Sequence, residues 1–460
     1  MDKATEHRPD EVAPPVLRRA VAAAAIGNAT EWYDYGVYGY VAVEIGKNFF
    51  PGPYSTLATL LVFAVSFVLR PLGGLVWGPL GDRIGRNRVL ATTIVLMSLA
   101  TFLIGVLPTY ASIGVWAPIL LVLLRIVQGF STGGEYGGAA TFMAEYAPDK
   151  KRGFWGSFLE FGTLTGVTFG VLLVLILNKT LDSAAMSSWG WRIPFFVALP
   201  LGLVGLYLRR RVQDTPVFHE LVETGEREQT ARRVLPGLLR HHWPAMLRLG
   251  GIVIALNITA YIYISYMPTY LQKTIGLSKT STSTLLTIAQ VAMLAVIPLA
   301  GALSDRIGRK PIWWISLTGT FVLAAPMFWL MGRGFALALV GFTVLGLVYV
   351  LQLGTISATF PAMFPAHVRY SGMATSYNVA TAAFGGTAPF VAAALVDSTG
   401  NKLMPAFYLM AACLIAMIAL IKVPETVGSS LRGRTVPGVA GQDTTVHGGQ
   451  TRREPEHGLA

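Results

Sequence analysis

The sequence predicts an all-α integral membrane protein, with twelve transmembrane helices in two pseudo-symmetric six-helix halves. Three observations predict it. Gly81-Asp82-Arg83-Ile84-Gly85-Arg86 returns, nearly half a chain later, as Ser304-Asp305-Arg306-Ile307-Gly308-Arg309, and each copy joins two long apolar stretches. A short basic loop repeated in this way marks two similar membrane-embedded halves. Hydrophobic residues make up 53% of the chain and charged ones 13%, roughly half the charge fraction of a soluble domain. Apolar stretches of about 20 residues, long enough to cross a bilayer, recur about twelve times.

In order, the expected spans lie near 19–42, 57–79, 88–107, 115–143, 154–177 and 191–209, then 247–271, 282–303, 311–331, 335–358, 370–396 and 403–422. The organisation follows: a cytoplasmic segment 1–16, a first half 17–209, a charged cytoplasmic linker 210–245, a second half 246–423 and a disordered cytoplasmic tail 424–460. A second repeated loop supports the two halves. Pro148-Asp149-Lys150-Lys151-Arg152 follows span 4, and Pro365-Ala366-His367-Val368-Arg369 follows span 10.

The net charge of +12 does not imply nucleic acid, because the cations alternate between loops. Arg83, Arg86 and Arg88, Lys150 to Arg152, Arg209 to Arg211, Arg306, Arg309 and Lys310 form one set. The opposite set has only isolated cations such as Lys47, Lys179, Lys273 and Lys402. The positive-inside rule puts the first set and both termini in the cytoplasm, in a multi-pass protein of the cell membrane. No cleavable signal peptide is evident. The single Cys413 falls in the last span and reads as a small buried hydrophobe. No span carries histidine, and no zinc or phosphate-loop pattern appears, so neither a metal, a cofactor nor an enzymatic reaction is expected.

Charges inside spans are costly and usually functional. On the first span Asn28, Glu31, Asp34, Tyr35 and Tyr38 share about one third of the helix circumference. That stripe should face a central cavity. A carboxyl desolvated there can take up a proton, so Glu31 and Asp34 are proton-coupling candidates; the other reading is a structural ion pair with an arginine of another span. On the fourth span Arg125, Gln128, Thr132 and Glu135 share a face. A guanidinium beside a carboxyl lowers its pKa, and a partner that moves away lets a proton be captured or released, so Arg125 and Glu135 join the proton-coupling set, again against a static salt bridge. Glu160, on one face with Ser157 and Thr163, is a weaker candidate. Arg70 stands twelve residues before Asp82, about 18 Å into the membrane at 1.5 Å per residue. Pairing with Glu31 or Asp34 and holding a substrate carboxylate are both open to it.

Arg70 and Arg125 stand against Glu31, Asp34, Glu135 and Glu160, so the buried charge set is acidic or balanced. A di- or tricarboxylate would want surplus cation. A small zwitterion suits this set better. Trp32, Tyr35 and Tyr38 on span 1, Tyr263 on span 7, and Tyr377 with Asn378 on span 11 provide rings and polar groups for its ammonium. Such aromatics also collect at membrane interfaces. With Asn28 and Arg70 they form the expected substrate set.

The motifs Gly78-Pro-Leu-Gly-Asp82-Arg83-Ile-Gly85-Arg86 and Arg125-Ile-Val-Gln128-Gly129, with their second-half echoes, resemble the major facilitator superfamily, in its metabolite:proton symporter branch. Gly27-Asn28-Ala-Thr-Glu31-Trp32-Tyr-Asp34, Gly133-Gly-Glu135-Tyr136 and Trp189-Gly-Trp-Arg192-Ile-Pro-Phe-Phe196 are similar to the proton-coupled osmolyte carriers of that branch. The resemblance spans residues 17 to about 425. It implies proton symport of a compatible solute of the proline, glycine betaine or ectoine class, or alternatively of a small carboxylate such as α-ketoglutarate, citrate or shikimate. The implied partners are that solute, protons and the lipid bilayer, with no nucleic acid. It also implies that Asp82, Arg83 and Arg86, with Asp305, Arg306 and Arg309, form a conformational latch. Some members end in a coiled coil; this tail shows no heptad pattern.

Overall fold

A computed structural model describes residues 14–52, 55–84, 86–209, 240–365 and 368–431. Ten helices among them are long and apolar enough to cross a membrane. Two more complete the set. Met404–Leu420 is apolar but only 17 residues long. Pro14–Tyr40 has 27 residues but carries Asn28, Glu31 and Asp34 in its middle. Such a helix is stable in a bilayer only if its polar stripe faces protein.

The first half comprises α1 (Pro14–Tyr40), α2 (Ser55–Val68 and Arg70–Ile84), α3 (Arg86–Val106), α4 (Trp116–Thr132 and Glu135–Tyr146), α5 (Arg152–Thr180) and α6 (Ile193–Arg209). The second comprises α7 (Trp243–Thr274), α8 (Lys279–Ile307), α9 (Arg309–Met331), α10 (Phe335–Leu353 and Ile356–Thr359), α11 (Arg369–Thr399) and α12 (Met404–Leu420).

The packing pattern repeats between the halves. In the first, α1 packs on α5 and α6, α3 on α4 and α6, and α2 on α4. In the second, α7 packs on α11 and α12, α9 on α10 and α12, and α8 on α10. Across the interface α5 meets α8 and α2 meets α11, two contacts that exchange when the halves are swapped. The internal two-fold inferred from a repeated loop is therefore present in the packing itself.

Small residues set how closely the helices approach, as membrane helices require. A β-carbon on Gly129 of α4 would stand 1.7 Å from the Ser66 carbonyl oxygen of α2. Backbone cannot yield as a flexible side chain does, so Gly129→Ala should cost about 1–3 kcal/mol or more by overpacking. Thermal unfolding in detergent should show a clear drop; an unchanged midpoint would mean that α2 and α4 are not in this contact. Gly308, the glycine of the second motif copy, has φ +105° and turns α8 into α9, a conformation that disfavours any side chain.

α7 widens into π turns at Ile262–Tyr266 and Tyr270–Thr274, and α11 at Thr381–Gly385. Such turns collect at functional sites, and both helices line the molecular centre.

The expected tail boundary moves. Residues 424–431 are folded against the basic end of the molecule. Glu425 accepts from the Arg309 and Lys310 N–H groups at 2.9 Å each, capping α9. Arg152 donates to the Ser429 carbonyl at 3.1 Å and Arg369 to the Leu431 carbonyl at 2.6 Å. These arginines supply donors that composition alone could not assign to a partner. Residues 210–239 of the linker lie outside the described residues.

Candidate functional site

The span-1 stripe faces protein, and its residues separate into three buried clusters. The first is an ion pair. Arg125 Nη1 donates to Asp34 Oδ2 at 3.0 Å, and Gln128 Nε2 to Asp34 Oδ1 at 3.0 Å. Gln128 also reaches Thr101 Oγ1 at 2.7 Å. The guanidinium carbon sits 3.6 Å from the centre of the Tyr38 ring, a cation–π contact in a desolvated site. The Tyr38 hydroxyl donates to the Thr59 carbonyl.

The second cluster centres on Arg70. It donates to the Tyr35 hydroxyl, lies 3.7 Å from Glu31 Oε1, and packs 4.5 Å from the centre of the Phe67 ring. Tyr35 in turn donates to Thr132 Oγ1 at 3.2 Å.

The third surrounds a closed cavity of about 20 Å³ between the halves, room for about one water. Glu160 of α5 is the one carboxylate on its wall. Its Oε1 accepts from the Tyr136 hydroxyl at 2.6 Å and its Oε2 from Thr163 Oγ1 at 2.9 Å. Asn28 supports this pair, donating to Thr163 Oγ1 at 2.5 Å and to the Leu159 carbonyl at 2.9 Å. Glu160 is 1% exposed, and no cation reaches it among the described residues. A buried carboxylate in that condition is costly until a proton or a cationic ligand joins it.

Rings close around this carboxylate. Tyr136 stacks on Tyr377 at 4.4 Å and 18°. Tyr263 meets Tyr349 edge-on at 5.6 Å. Trp32 forms the wall toward the Arg70 cluster, stacked 5.9 Å from Tyr261 and edge-on to Tyr35. Two donors here, Trp32 Nε1 and the Tyr263 hydroxyl, have no hydrogen-bond partner among the described residues. Buried groups in that state are uncommon and call for a reason.

Of the expected substrate residues, Trp32, Tyr263 and Tyr377 line the cavity and Asn28 braces it. Tyr35, Tyr38 and Arg70 belong to the neighbouring clusters instead. Asn378 donates to the Gly133 carbonyl at 2.7 Å and ties the halves together. Of the expected coupling residues, Glu31 and Asp34 each face an arginine, Arg125 takes Asp34, and Glu135 is buried at the break in α4. Sequence reasoning missed Tyr136, Tyr349 and Asn257, which line the cavity, and ranked Glu160 low. One signal was present: Tyr136 directly follows Glu135, and Glu160 and Thr163 lie on one face of their helix.

Of the latch set, Asp305 receives the Gly153 and Phe154 N–H groups at 2.8 Å each, and Arg309 at 2.7 Å. It therefore caps α5 of the opposite half, where a negative charge suits the helix dipole. Arg306 is exposed. The side chains of Asp82, Arg83 and Arg86 lie outside the described residues. No group of metal-ligating side chains occurs among the described residues.

Residues 24–385 and 249–440 match the model of the Major Facilitator Superfamily. The glycine betaine/proline/ectoine/pipecolic acid transporter OusA of Dickeya dadantii is 44% identical over 91% of this chain and 85% of its own. The proline/betaine transporter of Escherichia coli is 44% identical over 91% and 86%. The ectoine/proline transporter ProP of Corynebacterium glutamicum is 41% identical over 92% and 87%. Among solved structures, the proton:xylose symporter XylE superimposes with a TM-score of 0.73 at 18% identity, covering 91% of this chain and 98% of that one. The chain belongs to the Major Facilitator Superfamily and is a transporter, not an enzyme.

Proposed function

We propose that the protein imports a small zwitterionic compatible solute, of the proline, glycine betaine or ectoine class, together with a proton by alternating access. The observation that carries this reading is the cavity wall: among the described residues it has one carboxylate, several aromatic faces and no fixed cation. Once the halves rock apart and widen this cavity, the solute ammonium would lie against the rings beside a protonated Glu160, and its carboxylate would take the donors left free on Trp32 and Tyr263. A dicarboxylate would need cations, and Arg125 and Arg70 already face Asp34 and Glu31. The named activities of the relatives agree with a zwitterion. For coupling, the buried Glu160 would take the proton and carry it together with the solute, whose ammonium is held by the ring faces. The alternating basic loops support an orientation with the Asp305 end in the cytoplasm and the opposite end outside.

The test is uptake of labelled proline and glycine betaine into proteoliposomes under an imposed proton gradient and potential. Both should accumulate, and a protonophore should abolish the accumulation. α-Ketoglutarate, citrate and shikimate should not compete. Competition by a dicarboxylate with none from betaine or proline would transfer the assignment to small carboxylates. Asp305→Asn should weaken the cap on α5 and slow the maximal rate while solute affinity in detergent stays within a few-fold. A large affinity loss at normal rate would contradict a latch.

A further inference from the structure

A second cavity of about 20 Å³ lies between the halves near the outer end. From the first half it is lined by Tyr40, Glu44 and Asn178, and from the second by Gln272, Lys279 and Thr282. Glu44, on the short helix Ala42–Phe49, and the partly exposed Lys279 at the start of α8 form an ion pair across it from one half to the other, and this pair marks its mouth. Glu44 is 3% exposed and also accepts from Ser187 Oγ at 2.7 Å, with Lys47 3.6 Å away. The Lys279 side chain is 40% exposed. Burial alone would push the Glu44 carboxyl up; the hydrogen bonds from Lys279 and Ser187 outweigh it and hold the carboxyl below its ordinary range.

Two further observations point inward. Thr282 is 1% exposed and its hydroxyl has no hydrogen-bond partner. Tyr40 on this wall accepts a 2.7 Å hydrogen bond from Gln290, which lines the central cavity. A hydrogen bond across the halves therefore links the walls of the two cavities.

Opening the mouth by itself would strip a buried carboxylate of its lysine, a costly step. A zwitterion carries the two charges needed to prevent that. We propose that the outer cavity is an entry site for the zwitterionic solute, whose carboxylate takes Lys279 and whose ammonium takes Glu44, so that the solute substitutes for the ion pair that closes the mouth. A solute with one charge would replace one partner of the pair, leaving either Lys279 unpaired or Glu44 with only Ser187 and the exposed Lys47. The mouth thus admits by charge pattern before the central cavity reads shape. This inference rests on the zwitterion reading above.

Cys413 is the one cysteine of the chain, so a Cys413→Ala background with Ser283→Cys, on the cavity wall, gives a single reporter for a membrane-impermeant thiol reagent. In that background Glu44→Gln and Lys279→Gln should each raise labelling at least about fivefold without solute. The charge swap Glu44→Lys with Lys279→Glu should restore slow labelling, which also guards against a variant that merely fails to fold. Lys279→Gln should raise the KM for external betaine and proline about tenfold, the loss of one charge-assisted hydrogen bond, with the maximal rate preserved. Labelling unchanged by neutralisation would remove the mouth from this ion pair. Faster labelling with an unchanged KM would leave a mouth that does not bind solute, and the entry site would fall. If the parent takes up a dicarboxylate and neither zwitterion, the solute assignment fails first and the entry site with it, whatever the labelling shows.

Discussion

Glu160→Gln is expected to abolish uphill accumulation while leaving solute exchange in place. One charge crossing with the solute is worth about 2.3 kcal/mol per 100 mV, or roughly fifty-fold accumulation. The variant should fall to a ratio near equilibrium. The amide has the size of the carboxyl and can still accept from the Tyr136 hydroxyl or Thr163, so the cavity wall should stay in place. It cannot cycle a proton. Counterflow of labelled betaine against unlabelled betaine needs no net proton movement and should persist within about tenfold, the cost of weakening one polar contact to the ammonium. Two measurements on one preparation separate the outcomes. Loss of both accumulation and counterflow, with a normal melting profile, would make Glu160 a solute ligand alone. Accumulation equal to the parent would send the coupling proton elsewhere, to Glu31 or Glu135 first, both of them buried.

Much of this molecule was legible because the bilayer allows few solutions. A helix carrying Asn28, Glu31 and Asp34 must hide them, and a loop motif repeated between apolar stretches must join two similar halves. The repeated packing of the two halves follows. Partner choice was not legible. Periodicity puts Asp34 and Glu31 on one face but does not say which arginine each meets, because that depends on helix rotation and depth across separate spans. The structure divides them, Asp34 to Arg125 and Glu31 beside Arg70. That division leaves Glu160, which looked the weaker acid, without a cation among the described residues. Tyr349 was hidden for a related reason: it stands in one of the most apolar helices, where a single tyrosine gives no periodic signal. The folding of residues 424–431 was missed because their stability comes from Arg152 and Arg369, far away in sequence.

The Asp34–Arg125 pair should show the largest stability effects, and unequal ones. Both groups are buried, at 1% and 0% exposure. Removing one partner of a buried ion pair strands the other, typically at about 3–5 kcal/mol. The two strandings differ here. Asp34→Asn leaves the Arg125 guanidinium still 3.6 Å from the centre of the Tyr38 ring, a contact worth about 0.5–2 kcal/mol. Arg125→Gln leaves the Asp34 carboxylate with only the Gln128 amide of its two present donors. Arg125→Gln should therefore unfold at lower temperature in detergent than Asp34→Asn. The double variant Asp34→Asn with Arg125→Gln should recover part of the loss, because neither buried charge remains. A double-mutant cycle isolates that coupling, expected at the upper end of the 0.5–3 kcal/mol range for contacting residues. Tyr38→Leu provides the control: it should reduce the difference between the two single variants by removing the ring that cushions Arg125. Additive losses in the cycle would show that Asp34 and Arg125 do not depend on each other. An Asp34→Asn variant less stable than Arg125→Gln would show that the ring does not compensate for the missing carboxylate.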